Sequence, residues 1–130
     1  MRICTIAFVA VILILCACSR QLSKLTDRIA AADRVVVVNH SGKFMLSATG
    51  DEATKLVRAV SSAKRDRHYF TKIAATFSWR LQFYRGTNLL DVVRFQDRIF
   101  LIDGAEYSDD SGVLKALSDK ILADPNRPTD

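Results

Sequence analysis

The sequence predicts an α+β fold, a mainly antiparallel sheet of about five strands with two helices packed on one face. Apolar residues recur at helical spacing in residues 53–63 and 113–121, which indicates two amphipathic helices. In residues 77–84 apolar and polar residues alternate instead, which indicates a half-buried strand. Strands and helices that come in separate runs, without βαβ alternation, are typical of α+β domains.

The chain is predicted to hold one domain, preceded by two segments and followed by one. The segments are a leader (1–17), a tether or short amphipathic helix (18–33), a single domain (34–123) and a disordered tail (124–130). The second segment has apolar residues at helical spacing: Leu22, Leu25 and Ile29. The tail follows from Pro125 and Pro128, which end the last helix.

The first half of the domain is predicted to contain a hairpin and then a helix. Residues 35–38 are consecutive valines, a β-branched run typical of a strand that is apolar on both faces. A turn at residues 40–43 leads into a second strand that begins at Phe44. Thr49 and Glu52 have capping-box spacing and predict the start of the helix.

The second half is predicted to be a three-stranded meander followed by a helix. Its strands cover about residues 77–84, 89–95 and 98–102, and a turn at Asp103-Gly104 closes it. The polar residues of 107–112 are then expected to cap the last helix.

The leader consists of Arg2, an unbroken apolar run, and the box Leu15-Cys16-Ala17-Cys18. Only residues 3–19 separate Arg2 from Arg20, which is shorter than the about 20 residues of an ordinary membrane-spanning helix. This pattern resembles the signal peptide of a bacterial lipoprotein, which is cut directly before a cysteine that becomes lipid-modified. The resemblance implies cleavage after Ala17 and acylation, as with palmitate, at Cys18.

The same resemblance implies a location in the cell envelope, with the membrane reached through the lipid anchor. Ser19 rather than Asp follows Cys18, which implies an outer-membrane position facing the periplasm in a host with two membranes. The alternative is an uncleaved single-pass membrane protein, because basic residues after the apolar run outnumber Arg2 and would hold that side in the cytoplasm.

Every cysteine lies in the leader or at its boundary: Cys4, Cys16 and Cys18. The domain itself therefore has no disulfide scaffold, no thiol nucleophile and no cysteine zinc site. Its stability must come from its core.

The order of hairpin, helix, meander and helix resembles the small α+β domains carried by many bacterial lipoproteins. This resemblance carries over no catalytic residues and implies no cofactor. We therefore expect a non-enzymatic binding or structural role, with an envelope protein or a cell-wall component as partner.

Basic residues provide the first candidate site, since the formal net charge is +5. The candidate binding residues are Arg58, Lys64, Arg65, Arg67, His68, Lys72, Arg80 and Tyr84. Such a set suits anionic lipid headgroups, cell-wall carboxylates or phosphates, whereas no motif for nucleic acid is visible. The alternative is a solvated helix end, whose cations suit the helix dipole.

Acidic residues before the last helix are the second candidate: Asp103, Glu106, Asp109 and Asp110. With His40 or His68 they would serve a small envelope hydrolase, and clustered carboxylates also suit calcium. Their spacing does not fit an EF-hand loop, and two isolated histidines make a poor metal site, so no metal is expected. The simpler interpretation is a turn at Asp103 and helix capping by Asp109 and Asp110.

The predicted strands carry apolar side chains on both faces, while two helices cover only one face well. Three candidates could cover the other face: the helix of residues 22–29, a second copy of the chain, or a partner protein. A cover from within the chain is the simplest, because large exposed apolar patches are uncommon on monomers.

Overall fold

The computed structural model describes residues 21–65 and 79–129. Within them it shows an α+β fold with three helices and one seven-stranded antiparallel sheet. Helix α1 is described over residues 21–29, α2 covers Gly50–Ser61 and α3 covers Val113–Ala123. The strands are β1 (Arg34–Val38), β2 (Phe44–Thr49), β3 (Lys64–Arg65), β4 (Trp79–Arg85), β5 (Asn88–Gln96), β6 (Ile99–Ile102) and β7 (Ala105–Ser108).

The strand order in the sheet is β2-β1-β4-β5-β6-β7-β3. The predicted hairpin and meander are present, but the meander continues through the Asp103-Gly104 turn into β7. Strand β3 then pairs with β7, Lys64 opposite Ser108 and Arg65 opposite Tyr107. The described part of the chain thus has more strands than the predicted five.

The helices all pack on one face of the sheet, called the first face below. Its buried side chains are Val35, Val37, Leu81, Phe83, Val93, Phe95, Phe100, Ile102 and Tyr107. They share one core with buried residues of each helix: Leu25 and Ile29 of α1, Leu56 and Val60 of α2, Leu114 and Ile121 of α3. Because the domain contains no cysteine, its stability depends on this single core.

Helix α1 belongs to this core and does not cover the opposite face. Leu25 and Ile29 are 1% and 0% exposed. Arg28 forms an ion pair with Asp91, whose register opposite Phe83 puts it on the first face. The expectation that this helix covers the second face is therefore wrong, because its apolar stripe packs beside the other two helices.

Helix α2 begins where the sequence predicts, but without a capping box. Thr49 is the last residue of β2, paired with Arg34, and its side chain makes no capping hydrogen bond. Gly50 has a φ of 58°, which lets the chain turn from strand directly into helix. The predicted inward stripe is present, with Ala53, Leu56 and Val60 buried.

Residues 124–129, expected to form a disordered tail, are hydrogen-bonded to the fold. The Arg127 side chain donates to the carbonyl oxygen of Leu122 at 2.8 Å. Lys43 Nζ donates to the carbonyl oxygen of Thr129 at 3.1 Å, which ties the tail to the β1–β2 hairpin. The tail thus lies along the end of the molecule where β2 begins.

Candidate binding face

The second face of the sheet carries a group of arginines. Side chains of directly opposed residues lie on the same side of a sheet, so the strand register defines this face. The candidate binding face consists of Arg34, Val36, Arg80, Gln82, Tyr84, Leu89, Val92 and Arg94, all on β1, β4 and β5. No helix of the described residues packs on it, since all three lie on the first face.

Arg80 and Arg94 are directly opposite each other on β4 and β5. Directly opposed residues have Cα atoms about 4.5–5.5 Å apart, so the two side chains leave the sheet at neighbouring positions of the second face. Like charges in such a pair destabilise a sheet. Arg80 donates to the carbonyl oxygen of His40 at 2.7 Å, which fixes its side chain against the hairpin turn.

Arg34 forms the other end of the face. Its guanidinium carbon lies 4.7 Å from the centre of the Tyr84 ring, in cation–π geometry. The Tyr84 hydroxyl in turn donates to Gln82 Oε1 at 3.2 Å. Arg34 is directly opposite Tyr84, which is four residues from Arg80 on β4. Arg34 and Arg80 are therefore about 13 Å apart along the strand direction. These contacts order the polar side chains between the two basic ends.

Exposure divides the second face into two parts. On β6 and β7, Ile99, Glu106 and Ser108 are buried, and on β1 Val38, directly opposite Arg80, is buried too. On β5, Leu89 is 51% and Val92 38% exposed, and Arg94 is also exposed. Glu106 is the only carboxylate that the described strands place on this face, which also carries Arg34, Arg80 and Arg94.

The predicted binding residues divide between separate surfaces. Arg80 and Tyr84 lie together on the candidate binding face. Lys64 is on the second face too, but β3 is four strand spacings from β4, about 19 Å. Arg65 lies on the first face with its guanidinium carbon 5.7 Å from the Tyr107 ring centre, and exposed Arg58 is on α2. The positions of Arg67, His68 and Lys72 fall outside the described residues.

The acidic candidates do not form a common site. Asp103 occupies the β6–β7 turn with a φ of 49°, and Glu106 is buried on β7. Asp109 is buried and accepts the backbone N–H groups of Ser111 and Leu114, both at 2.9 Å, so it caps α3 as the simpler interpretation predicts. Asp110 accepts instead from the Ser108 hydroxyl at 3.3 Å. Among the described residues no group of three His, Cys, Asp or Glu side chains is placed to hold a metal ion.

Three small clefts run along β2 and α3 on the other side of the fold. One of about 200 Å³ lies between α2 and α3, lined by Leu46, Leu56 and Leu117 among others. Two of about 220 Å³ each continue beside Met45 towards Arg127 and the tail. Ligand pockets usually enclose about 300–1,000 Å³, so each cleft is small for a bound cofactor.

In residues 21–65 and 79–129, no helix has the length and apolar character needed to cross a membrane. The leader and Cys18 lie outside these residues. Comparison with protein-family models, curated proteins and solved structures finds no significant match to this chain.

Proposed function

We propose that this protein is a lipid-anchored protein of the cell envelope that binds an acidic partner protein through the candidate binding face. The anchor is Cys18, the residue after the predicted cleavage site, and the domain has no enzymatic role. In a host with two membranes it is attached to the outer membrane and faces the periplasm. The leader pattern and the confinement of all cysteines to it support the anchor.

The observation that carries the binding role is the register that puts Arg34, Arg80 and Arg94 on one face. The three helices of the described residues pack on the opposite face, so none of them lies over these arginines. Positive potential of this kind steers association with a negatively charged surface and discriminates against basic partners.

A protein partner fits this face better than a cell-wall polymer. Arginine and tyrosine are enriched at the energetic centres of protein interfaces. Here Arg80 is directly opposite Arg94, and Tyr84 lies on the same face four residues along β4. Exposed Leu89 and Val92 add apolar surface beside them. Apolar contacts favour a protein, whereas an acidic glycan would use the cations alone.

The two alternatives have less support. For a hydrolase at residues 103–110, one of the four candidate carboxylates, Asp109, is already occupied in capping α3. His40 lies in the hairpin turn, where its carbonyl oxygen accepts from Arg80. An uncleaved single-pass protein would use the leader as its span, and the short apolar run speaks against it.

Charge reversal on the candidate binding face tests the binding role. Arg80→Glu with Arg94→Glu should reduce capture of the crosslinked envelope partner about tenfold or more, since the acidic partner would then meet like charge. The matched control is Lys55→Glu with Arg58→Glu, the same charge change on exposed positions of α2. Capture by the control should equal that of the parent.

Equal capture by both double variants, or capture of no specific partner, would contradict the proposal. Capture of an acidic glycan in place of a protein would leave the face as a binding site but overturn the choice of partner. Melting temperatures of the two variants, compared with the parent, show that each retains its fold.

A further inference from the structure

The lipid anchor and the folded domain are joined by a very short piece of chain. Only Ser19 and Arg20 lie between Cys18 and residue 21, the first residue of α1 that the structure describes. A fully extended chain spans at most about 3.3–3.6 Å per residue, so Cys18 lies within about 11 Å of residue 21.

Helix α1 cannot act as a spacer, because it is part of the core. Leu25 and Ile29 are fully buried against the first face, and Arg28 is paired with Asp91 of β5. The chain then passes directly into the sheet, where the Asp33 N–H donates to the carbonyl oxygen of Tyr84 at 2.9 Å. Releasing α1 to lengthen the connection would expose this apolar stripe to water.

We infer that the domain is held against the lipid headgroups, with residue 21 of α1 close to the membrane surface. This inference rests on the proposed acylation of Cys18, whose acyl chains place that residue at the headgroup level. Exposed Ser23 and Lys24 lie within one turn of residue 21, and a turn rises 5.4 Å, so both are within about 17 Å of Cys18. Net charge does not hold them there, since Asp27 is exposed on the same helix. The short connection to Cys18 holds Ser23 and Lys24 near the headgroups.

Membrane contact restricts the partner of the candidate binding face. A domain of about 100 residues has a radius of gyration near 13 Å and is about 35 Å across. With the connection added, every part of the domain lies within about 45 Å of the bilayer surface. The acidic partner is therefore bound within about 45 Å of the bilayer surface, which is within reach of a protein in the same membrane.

Fluorescence quenching measures this contact directly. The acylated protein with Ser23→Cys is labelled at that thiol, which is the only free one once the leader is removed and Cys18 is modified. It is reconstituted in vesicles of phosphatidylethanolamine and phosphatidylglycerol that contain a lipid with a nitroxide on its headgroup. The matched control carries an added 20-residue Gly/Ser segment between Ser19 and Arg20, with a root-mean-square length of about 25 Å.

Strong quenching in the short-linked protein, reduced severalfold by the added segment, is the expected result. Equal quenching with and without the segment, in proteins whose Cys18 is shown by mass spectrometry to be acylated, would overturn membrane contact and leave the lipid anchor in place. An unmodified Cys18 would instead overturn the anchor and, with it, this inference. The Gly/Ser segment precedes the described part of α1, so packing of Leu25 and Ile29 is retained in both proteins.

Discussion

Asp109 shows how a single acidic residue serves the fold rather than a reaction. Its carboxylate accepts two backbone N–H groups, those of Ser111 and Leu114, at the point where α3 begins. The N–H groups of a first helical turn have no partner within the helix, and a negative charge there also suits the helix dipole. The sequence reveals this role through spacing, since polar residues directly precede an apolar helical stripe.

Asp109→Ala is expected to lower the free energy of unfolding by about 1–2 kcal/mol, because it leaves buried N–H groups without an acceptor. Urea denaturation of the mature chain, expressed from residue 18 with Cys18→Ser, measures the change. Asp110→Ala is the matched control and should cost less than about 0.5 kcal/mol, since Asp110 is exposed. Similar losses for both would show that Asp109 is not the cap.

The packing of helix α1 shows whether the chain before β1 is a tether or part of the fold. The spacing of Leu22, Leu25 and Ile29 predicts a helix, and the structure places it in the core. Its position on the first face was not predictable, because helical periodicity defines an apolar stripe but not the surface on which the stripe packs.

Leu25→Ala is expected to lower the free energy of unfolding by about 2–5 kcal/mol, through lost burial and the cavity left behind. The control is Ser23→Ala on the exposed side of the same helix, which should change stability by less than about 0.5 kcal/mol. Thermal or urea unfolding of both variants gives the comparison. If Leu25→Ala were as stable as the control, residues 21–29 would be a tether and the membrane-contact inference would lose its basis.

Strand pairing is the element-scale feature that the sequence does not reveal. The predicted hairpin and meander follow from valine runs, alternation and turns, which are local signals. Strand β3 consists of two basic residues, and β7 contains Glu106 and Ser108, so neither has an apolar alternation of its own. Strand β7 forms by pairing with β6, and β3 forms by pairing with β7 at the sheet edge.

At the scale of the whole molecule, apolar packing and charge are on opposite faces of one sheet. Three helices bury the first face, and the candidate binding face presents Arg34, Arg80 and Arg94. The alternation in β4 predicts that Arg80 and Tyr84 share a side. Arg34 and Arg94 could not be added from the sequence, because their place depends on the register between strands far apart in the chain.

The predicted lipid anchor would attach this domain to a membrane. A lipid on Cys18 and a core-packed α1 would leave the domain little freedom to move away from the bilayer. Membrane attachment and the arginine face then act together, because a partner in the same membrane is met at high local concentration.

The measurement that tests this account most directly is the mass of the N-terminal peptide of the protein recovered from cell membranes. The account predicts a peptide that begins at Cys18 and carries acyl chains, with residues 1–17 absent. It also predicts that Cys18→Ser prevents both the cleavage and the acylation. A peptide that still contains residues 1–17 with an unmodified Cys18 would contradict the account and establish the uncleaved membrane anchor in its place.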